Sequence, residues 1–263
     1  MISGKKRTKM IEYIGKWILI GGKMKKYFLF DLDGTVLKMN ADEFIKSYFG
    51  ALGAYFADLI DARKLVGYIM EATERMCKDN SDIDNYSTFF RHFAELSGEN
   101  MRIFEKRFDA FYEEKFNEIK GQCEGNKGII DAISVLKAKG YGIVLATNPV
   151  FPMKANIHRL GWAGLKPTDF EYITALEICN KCKPNPEYFK NILKHLGIKA
   201  EECVMVGNDV IEDLSASEAG IETWLIQDCL WDRENSPYIA DHTGSGEDFL
   251  DYVTSLKRRK DNV

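Results

Sequence analysis

Short apolar runs alternate with amphipathic segments along the second half of the chain, and this alternation restricts the fold more than any other feature. The apolar runs lie at 141–146, 172–174, 203–206 and 223–226. Helical spacing is found at 129–139, 152–160, 186–196 and 211–219. Alternating strands and helices predict a parallel sheet covered by helices on both faces. The expected class is therefore α/β, with a doubly wound, Rossmann-like sheet.

A long helical segment interrupts this pattern after the first strand, which is predicted within residues 26–33. Over the next 85 residues or so, aromatic and aliphatic residues recur three and four positions apart, as in Phe44, Tyr48 and Leu52. This spacing is typical of amphipathic helices packed into a small bundle. We therefore expect a sheet domain that is interrupted by an inserted helical cap domain. The predicted domains are a core at 24–39 and 125–252, a cap at 40–124 and a polar C-terminal tail at 253–263.

The first 23 residues fall outside this plan and are interpreted as an N-terminal extension. They contain a basic run at 5–9 and an apolar stretch at 17–20, far shorter than the roughly 20 residues that a membrane-spanning helix needs. Met24 stands directly before the first strand. We therefore expect residues 1–23 to lie upstream of the true start.

Composition excludes several classes of protein. The formal net charge is −4, whereas a nucleic-acid-binding protein usually has a basic excess. Six cysteines in a chain of 263 residues do not suggest the disulfide framework of a small secreted domain. The expectation is a cytoplasmic protein with reduced thiols that binds neither nucleic acid nor membrane, and whose oligomeric state the sequence leaves open.

Polar residues follow the apolar runs at the positions where the strands are predicted to end. Asp31 and Asp33 follow the first strand and Thr147 and Asn148 the second, while Lys183 stands shortly before a helix. The fourth group, at the end of the run 203–206, is Asn208, Asp209 and Asp213. In open parallel sheets ligands bind beyond the carboxyl ends of the strands. We therefore expect these side chains to meet in one site.

The set resembles the haloacid dehalogenase superfamily, in its phosphatase branch. Residues 31–36 look like the first motif of that superfamily, Asp-x-Asp-Gly-Thr, and 207–213 like its acidic fourth motif. Thr147 matches the second motif and Lys183 the third. The insert at 40–124 stands where the superfamily carries a helical C1-type cap. The resemblance covers the chain from Met24 to about residue 226.

The resemblance implies a role for each matched residue. Asp31 would attack phosphorus and form an aspartyl-phosphate, and Asp33 would serve as general acid and base. Thr147, the N–H of Asn148 and Lys183 would bind the phosphoryl oxygens. A carboxylate at position 33 suits phosphate transfer, since relatives that cleave carbon–halogen bonds lack it.

The resemblance also implies a Mg²⁺ cofactor held by oxygen ligands. Asp31, the carbonyl of Asp33 and the Asn208–Asp209 pair would supply them. The superfamily often has Asp where this chain has Asn208, and Asp209 follows directly, so the sequence leaves open which of the two binds the metal. Asp213 is expected to support the site without touching the metal.

The predicted function is Mg²⁺-dependent hydrolysis of a small phosphomonoester, a phosphorylated metabolite that the sequence does not identify. The cap contains 17 Asp and Glu against 11 Lys and Arg, which disfavours a long polyanion as substrate. One alternative is a phosphomutase acting on a sugar phosphate, and less favoured ones are a phosphoprotein phosphatase and a non-catalytic phosphate-binding module. The sequence itself does not separate phosphatase from phosphomutase.

Overall fold

The computed structural model describes residues 25–233, 235 and 237–259; the predicted extension at 1–23 and Met24 lie outside the described residues. The strands are β1 Tyr27–Phe30, β2 Leu37–Lys38, β3 Glu124–Gly125, β4 Gly142–Leu145, β5 Tyr172–Ile173, β6 Cys203–Gly207, β7 Glu222–Ile226 and β8 His242–Gly244. The α-helices are α1 Ala41–Tyr55, α2 Ala62–Lys78, α3 Asn85–Ser97, α4 Met101–Glu114, α5 Lys127–Ala138, α6 Met153–Trp162, α7 Pro186–Leu196 and α8 Gly246–Ser255. Short 3₁₀ helices lie at Phe116–Lys120, Pro167–Asp169, Ala200–Glu202 and Leu214–Ala219.

Six strands form one parallel sheet in the order β5-β4-β1-β6-β7-β8. β1 lies in the middle, where Phe30 is aligned with Leu145 of β4 on one side and with Val206 of β6 on the other. The chain order reverses direction around β1, so its carboxyl end opens at a switch point of the sheet. The α/β class predicted from the sequence is confirmed.

Alternate residues of β1 enter separate apolar cores on the two faces of the sheet. Phe28 and Phe30 pack on one face, where both rings meet the edge of Phe249 from α8. Leu29 points to the other face and packs with Phe189 of α7. All three β1 side chains are fully buried. A strand buried on both faces holds its carboxyl end in a fixed position.

Helices α1 to α4 form the cap that the sequence places between the first two core strands. Each begins after an Asn or Asp whose side chain accepts a backbone N–H of the first turn, which is a favourable N-cap. The four capping residues are Asn40, Asp61, Asp84 and Asn100. Aromatic residues fill the interior of the cap; the rings of Phe56 and Phe108, for example, lie 4.7 Å apart. The aromatic spacing seen in the sequence is therefore a packing pattern.

The cap joins the core through two chain connections and several packed and polar contacts. At its base β2 pairs antiparallel with β3 in a small ribbon that is separate from the main sheet. Above this ribbon Phe116 stacks on Trp162 of α6, with ring centroids 5.5 Å apart. The cap is thus an insertion on the carboxyl edge of the sheet. None of the described helices combines the length and hydropathy that crossing a bilayer requires.

Two details of the sequence prediction are corrected. The helix expected at 211–219 is a 3₁₀ helix that starts only at Leu214, because Asp209 Oδ1 accepts the N–H groups of Ile211 and Glu212 and holds a turn before it. At the other end, α8 continues to Ser255 and Val253 is fully buried, so the polar tail starts later than position 253.

Candidate active site

The first candidate residue, Asp31, is fixed by the sheet. Its backbone N–H donates to the carbonyl of Val206 at 2.9 Å, which extends the ladder one residue beyond β1. Asp31 is 8% exposed, and the chain turns at Gly34, where φ is +86°. A side chain is disfavoured at this φ. The turn brings Asp31 and Asp33 into the same cavity.

Lys183 links two carboxylates at the floor of this cavity. Its Nζ lies 3.0 Å from Asp31 Oδ1 and 2.6 Å from Asp213 Oδ1, and its side chain is inaccessible to solvent. Burial alone would lower the pKa of Lys183, but Asp213 and Asp31 raise it well above its usual value. Lys183 is therefore a protonated cation beside the oxygen of Asp31.

Other carboxylates lie near Asp31 in spite of this lysine. Burial raises the pKa of Asp31 well above its usual value; Lys183 opposes that shift, and the nearby Asp213 and Asp33 add to it. Like charges held together in a buried site favour the arrival of a further cation. The floor of the cavity therefore has more negative charge than Lys183 alone offsets.

Thr147 and Asn148 follow β4 beside this pair. The carbonyl of Thr147 accepts hydrogen bonds from Thr174 Oγ1 at 2.7 Å and from the Tyr188 hydroxyl at 2.9 Å, which fixes the backbone there. The Asn148 side chain accepts the N–H of Lys183 at 3.2 Å and donates to Glu212 at 3.0 Å. Asn148 thus connects the segment of Lys183 to the turn after β6.

Asn208 and Asp209 follow the same strand but face different neighbours. Asn208 is buried; its Oδ1 accepts from Thr35 Oγ1 at 2.9 Å, and its Nδ2 donates to the carbonyl of Cys229 at 2.7 Å. A Cβ at Gly34 would lie 2.2 Å from this Nδ2, so Asn208 packs directly on the turn between the two aspartates. Asp209 uses one oxygen to hold the turn after it and pairs the other with Arg233 at 2.6 Å.

The structure adds one residue that sequence reasoning missed, Arg159 of α6. Its guanidinium is fully buried, contacts Asp33 Oδ2 and Asn156 Oδ1, and lies 4.3 Å from the centre of the Phe151 ring. A signal was present in the sequence, since Arg159 shares a helix face with Ala155 and Trp162 at spacings of four and three. An arginine on the apolar face of a helix is buried, and a buried guanidinium needs a hydrogen-bonding or ion-pair partner.

Above these residues lies a cavity of about 1630 Å³ that both the core and the cap enclose. Of the eight residues selected from the sequence, seven line it: Asp31, Asp33, Thr147, Asn148, Asn208, Asp209 and Asp213. The eighth, Lys183, binds two of them from below. The predicted residues are therefore brought together at one edge of the sheet, with Asp209 turned toward Arg233.

The donor atoms at this edge of the sheet are mainly oxygens. In the part of the chain that the structure describes, no three His, Cys, Asp or Glu side chains form a ready metal-binding group. A set that combines carboxylate, amide and backbone carbonyl oxygens fits better, and oxygen ligands of these kinds suit Mg²⁺. Asp33 Oδ1 is buried and accepts no hydrogen bond from any described residue, so it has acceptor capacity that a hard cation could use.

The parallel sheet, the inserted cap and the aspartates after β1 define the class of this protein. The chain belongs to the haloacid dehalogenase-like hydrolases, and the sequence model of that family matches residues 25–220. The superfamily predicted from the sequence motifs is confirmed, as is the expectation of an enzyme.

Individual relatives are more distant. The chain is 28% identical to the glyceraldehyde 3-phosphate phosphatase of Methanocaldococcus jannaschii, over 89% of this chain and 100% of the relative. It is 25% identical to the pyrophosphatase PpaX of Halalkalibacterium halodurans, over 75% of this chain and 81% of the relative. The crystal structure of a phosphatase of this superfamily from Thermococcus onnurineus superposes with a TM-score of 0.56 at 21% identity, covering 89% of this chain and 100% of that one. This structural likeness concerns the fold alone.

Proposed function

We propose that this protein is a Mg²⁺-dependent phosphatase that hydrolyses a small phosphomonoester through a phosphorylated Asp31. The observation that carries the proposal is the buried Lys183 ammonium, 3.0 Å from Asp31 Oδ1 and beneath the aspartates that line the cavity. A carboxylate nucleophile beside a fixed cation is the pairing that attack on an anionic phosphate requires. Named relatives that act on phosphate compounds support the reaction class.

In the proposed first step an oxygen of Asp31 bonds to phosphorus while the ester P–O bond breaks. Asp33 gives its proton to the leaving oxygen. Lys183, Thr147 and the N–H of Asn148 hold the phosphoryl oxygens and offset their charge. In the second step Asp33 takes a proton from water, whose oxygen bonds to phosphorus and breaks the bond to Asp31. Phosphate leaves and both aspartates return to their starting states.

For the metal we propose Asp31, the backbone carbonyl of Asp33 and Asn208 as ligands. The side chains of Asn208 and Asp209 are both engaged within the protein. Asn208 is preferred because it packs directly on the turn at Gly34 between the two aspartates, whereas Asp209 is paired with Arg233. When bound, Mg²⁺ would neutralise the phosphoryl charge and lower the repulsion between phosphate and Asp31. Asp213 stays the partner of Lys183.

Release of phosphate from a generic aryl phosphate tests the proposal. Activity should vanish in EDTA and return with added Mg²⁺, because the acidic floor of the cavity repels an anionic substrate when no cation is bound. Asp58→Asn is the matched control: Asp58 is an exposed cap residue paired with Arg107, and this variant should behave like the parent. Full activity in metal-free buffer would contradict the proposal.

The choice of Asn208 has its own test. Asn208→Ala should raise the Mg²⁺ concentration needed for half-maximal activity by about 10- to 100-fold. Loss of a side chain that binds or supports a metal usually lowers metal affinity by about this factor. Asp209→Asn should change it less, since its carboxylate is held by Arg233 and by the backbone. A larger effect at Asp209 would assign the metal to that residue.

All six cysteines are free, with no disulfide between them. Cysteines in this state are usual in reducing compartments. We therefore propose a cytoplasmic enzyme that acts on a phosphorylated metabolite.

A further inference from the structure

One wall of the cavity is aromatic. Phe44, Tyr48, Tyr112 and Phe90 of the cap face the cavity together with Phe151 of the core. The hydroxyls of Tyr48 and Tyr112 are bonded to each other at 2.7 Å and are buried, so each already has a polar partner and the rings are the available surface. Such a wall favours an apolar organic group.

Carboxylates outnumber cations around the cavity. Its lining includes eleven carboxylates and three cations, which are Lys106, Lys154 and Arg233. Lys154 is paired with two cap carboxylates, Asp109 at 2.8 Å and Glu113 at 3.0 Å. To bind a second anionic group of the substrate, Lys154 would have to leave these partners.

Arg233 and Lys106 are no better placed for this purpose. Arg233 is paired with Asp209 at 2.6 Å and with Glu212 at 3.3 Å. Lys106 is exposed and also borders a small cavity on the outside of the cap. Eight of the eleven carboxylates are themselves in ion pairs. A second phosphate or a carboxylate on the substrate would therefore meet a lining in which carboxylates still outnumber cations.

Three of the carboxylates converge on one tyrosine of the lining. Burial raises the pKa of Tyr86, and the charges of Glu105, Asp109 and Glu177 raise it further. Glu177 is also fixed in place, because its carboxylate accepts the N–H of Met153 at 3.0 Å. The side of the cavity near Tyr86 is therefore negatively charged as well as aromatic.

We propose that this enzyme selects phosphomonoesters whose organic group is apolar and has no second anionic group. The proposal rests on the phosphatase function proposed above and defines its substrate class. The aromatic wall provides affinity. Among the described residues Asp42, Glu105 and Glu177 are lining carboxylates in no ion pair, and a second negative charge on the substrate would meet them as unpaired like charges, which discriminate against a wrong ligand. Pyrophosphate, sugar bisphosphates and phosphorylated carboxylic acids fall in the excluded class.

The same charges disfavour the phosphomutase alternative. A mutase that moves a phosphoryl group between two hydroxyls passes through a bisphosphate and must hold the second phosphate away from Asp31. Of the three cations of the lining, Lys154 and Arg233 are paired with carboxylates and Lys106 is exposed, as described above. Hydrolysis of a singly phosphorylated ester needs no such second site.

A matched pair of substrates tests the proposal with the full chain and Mg²⁺. Phenyl phosphate and 4-carboxyphenyl phosphate have the same reacting group and differ by one carboxylate at the far end. We expect kcat/KM to be at least about tenfold higher for phenyl phosphate, because a like charge in a partly desolvated site costs on the order of one factor of ten. Pyrophosphate should be a poorer substrate than phenyl phosphate.

A charge-removing variant assigns the effect to the cavity wall. Glu105→Gln should bring the ratio of the two kcat/KM values closer to one. Glu99→Gln changes an exposed cap residue outside the lining and should leave the ratio as in the parent. Equal kcat/KM for the two aryl phosphates, or faster hydrolysis of pyrophosphate, would overturn the substrate class while leaving the phosphatase function intact. If neither ester nor pyrophosphate released phosphate with Mg²⁺, the proposed function itself would fail, and the substrate class with it.

Discussion

Replacing Arg159 with methionine should destabilise the protein by leaving Asp33 without its cation. The guanidinium is fully buried between Asp33, Asn156 and the ring of Phe151. Removing one partner of a buried ion pair costs about 3–5 kcal/mol. Because the Asp33 side chain is 34% exposed, solvent reduces this penalty, and we expect a loss of about 2–3 kcal/mol. For a chain of this size that corresponds to a fall in Tm of roughly 5–10 °C.

Urea unfolding in EDTA measures this effect without bound metal. Arg159→Met, Asp33→Asn and the double variant form a cycle, and we expect a coupling free energy of at least about 1 kcal/mol. Arg107→Met is the control, since the pair of Arg107 with Asp58 on the cap is largely exposed and should contribute no more than about 1 kcal/mol. A coupling near zero between Arg159 and Asp33 would refute the conclusion that their contact stabilises the fold.

Two further predictions concern backbone geometry and pH. Gly34→Ala should reduce activity sharply, because φ is +86° and the new Cβ would lie 2.2 Å from the Asn208 amide nitrogen. Gly50→Ala is the control, since a Cβ at this helical position would meet no other atom. Equal activity of the two variants would contradict the packing argument. Burial alone would raise the pKa of Glu222, but hydrogen bonds from His242 and a lysine lower it below its usual 4.5. A lowered folded-state pKa gives stability that is present above the unfolded value and is lost as pH falls through the folded one. Glu222→Gln should therefore flatten the decline in unfolding free energy below about pH 4.5, and an unchanged acid slope would argue against it.

The sequence was most informative where charged or polar side chains directly follow predicted strands. Asp31, Lys183 and Asp213 could be selected because each follows a recognisable apolar run or precedes a helix, and parallel strands bring such positions to one edge. The structure joins these three through the Lys183 ammonium. The order of elements in the core was equally accessible, since it depends on local periodicity.

Other features depend on contacts that local patterns do not encode. Arg159 lies in the last turn of α6, and its partner Asp33 is 126 positions away. The different surroundings of Asn208 and Asp209 come from Thr35, Cys229 and Arg233, which lie on separate segments. The charge pattern of the cavity likewise arises only when cap and core are packed together.

Trapping the phosphoryl group on the enzyme tests the central claim most directly. Asp33→Asn should react with 4-nitrophenyl phosphate, whose leaving group needs no proton, and then stall because the base for hydrolysis is missing. After acid quench, peptide mass spectrometry should find the phosphoryl group on the peptide containing Asp31, together with a burst of nitrophenol. Asp31→Asn should show neither the burst nor the modification, since an amide cannot form the acyl phosphate. Phosphorylation of Asp31→Asn, or of a peptide without Asp31 in Asp33→Asn, would contradict the account.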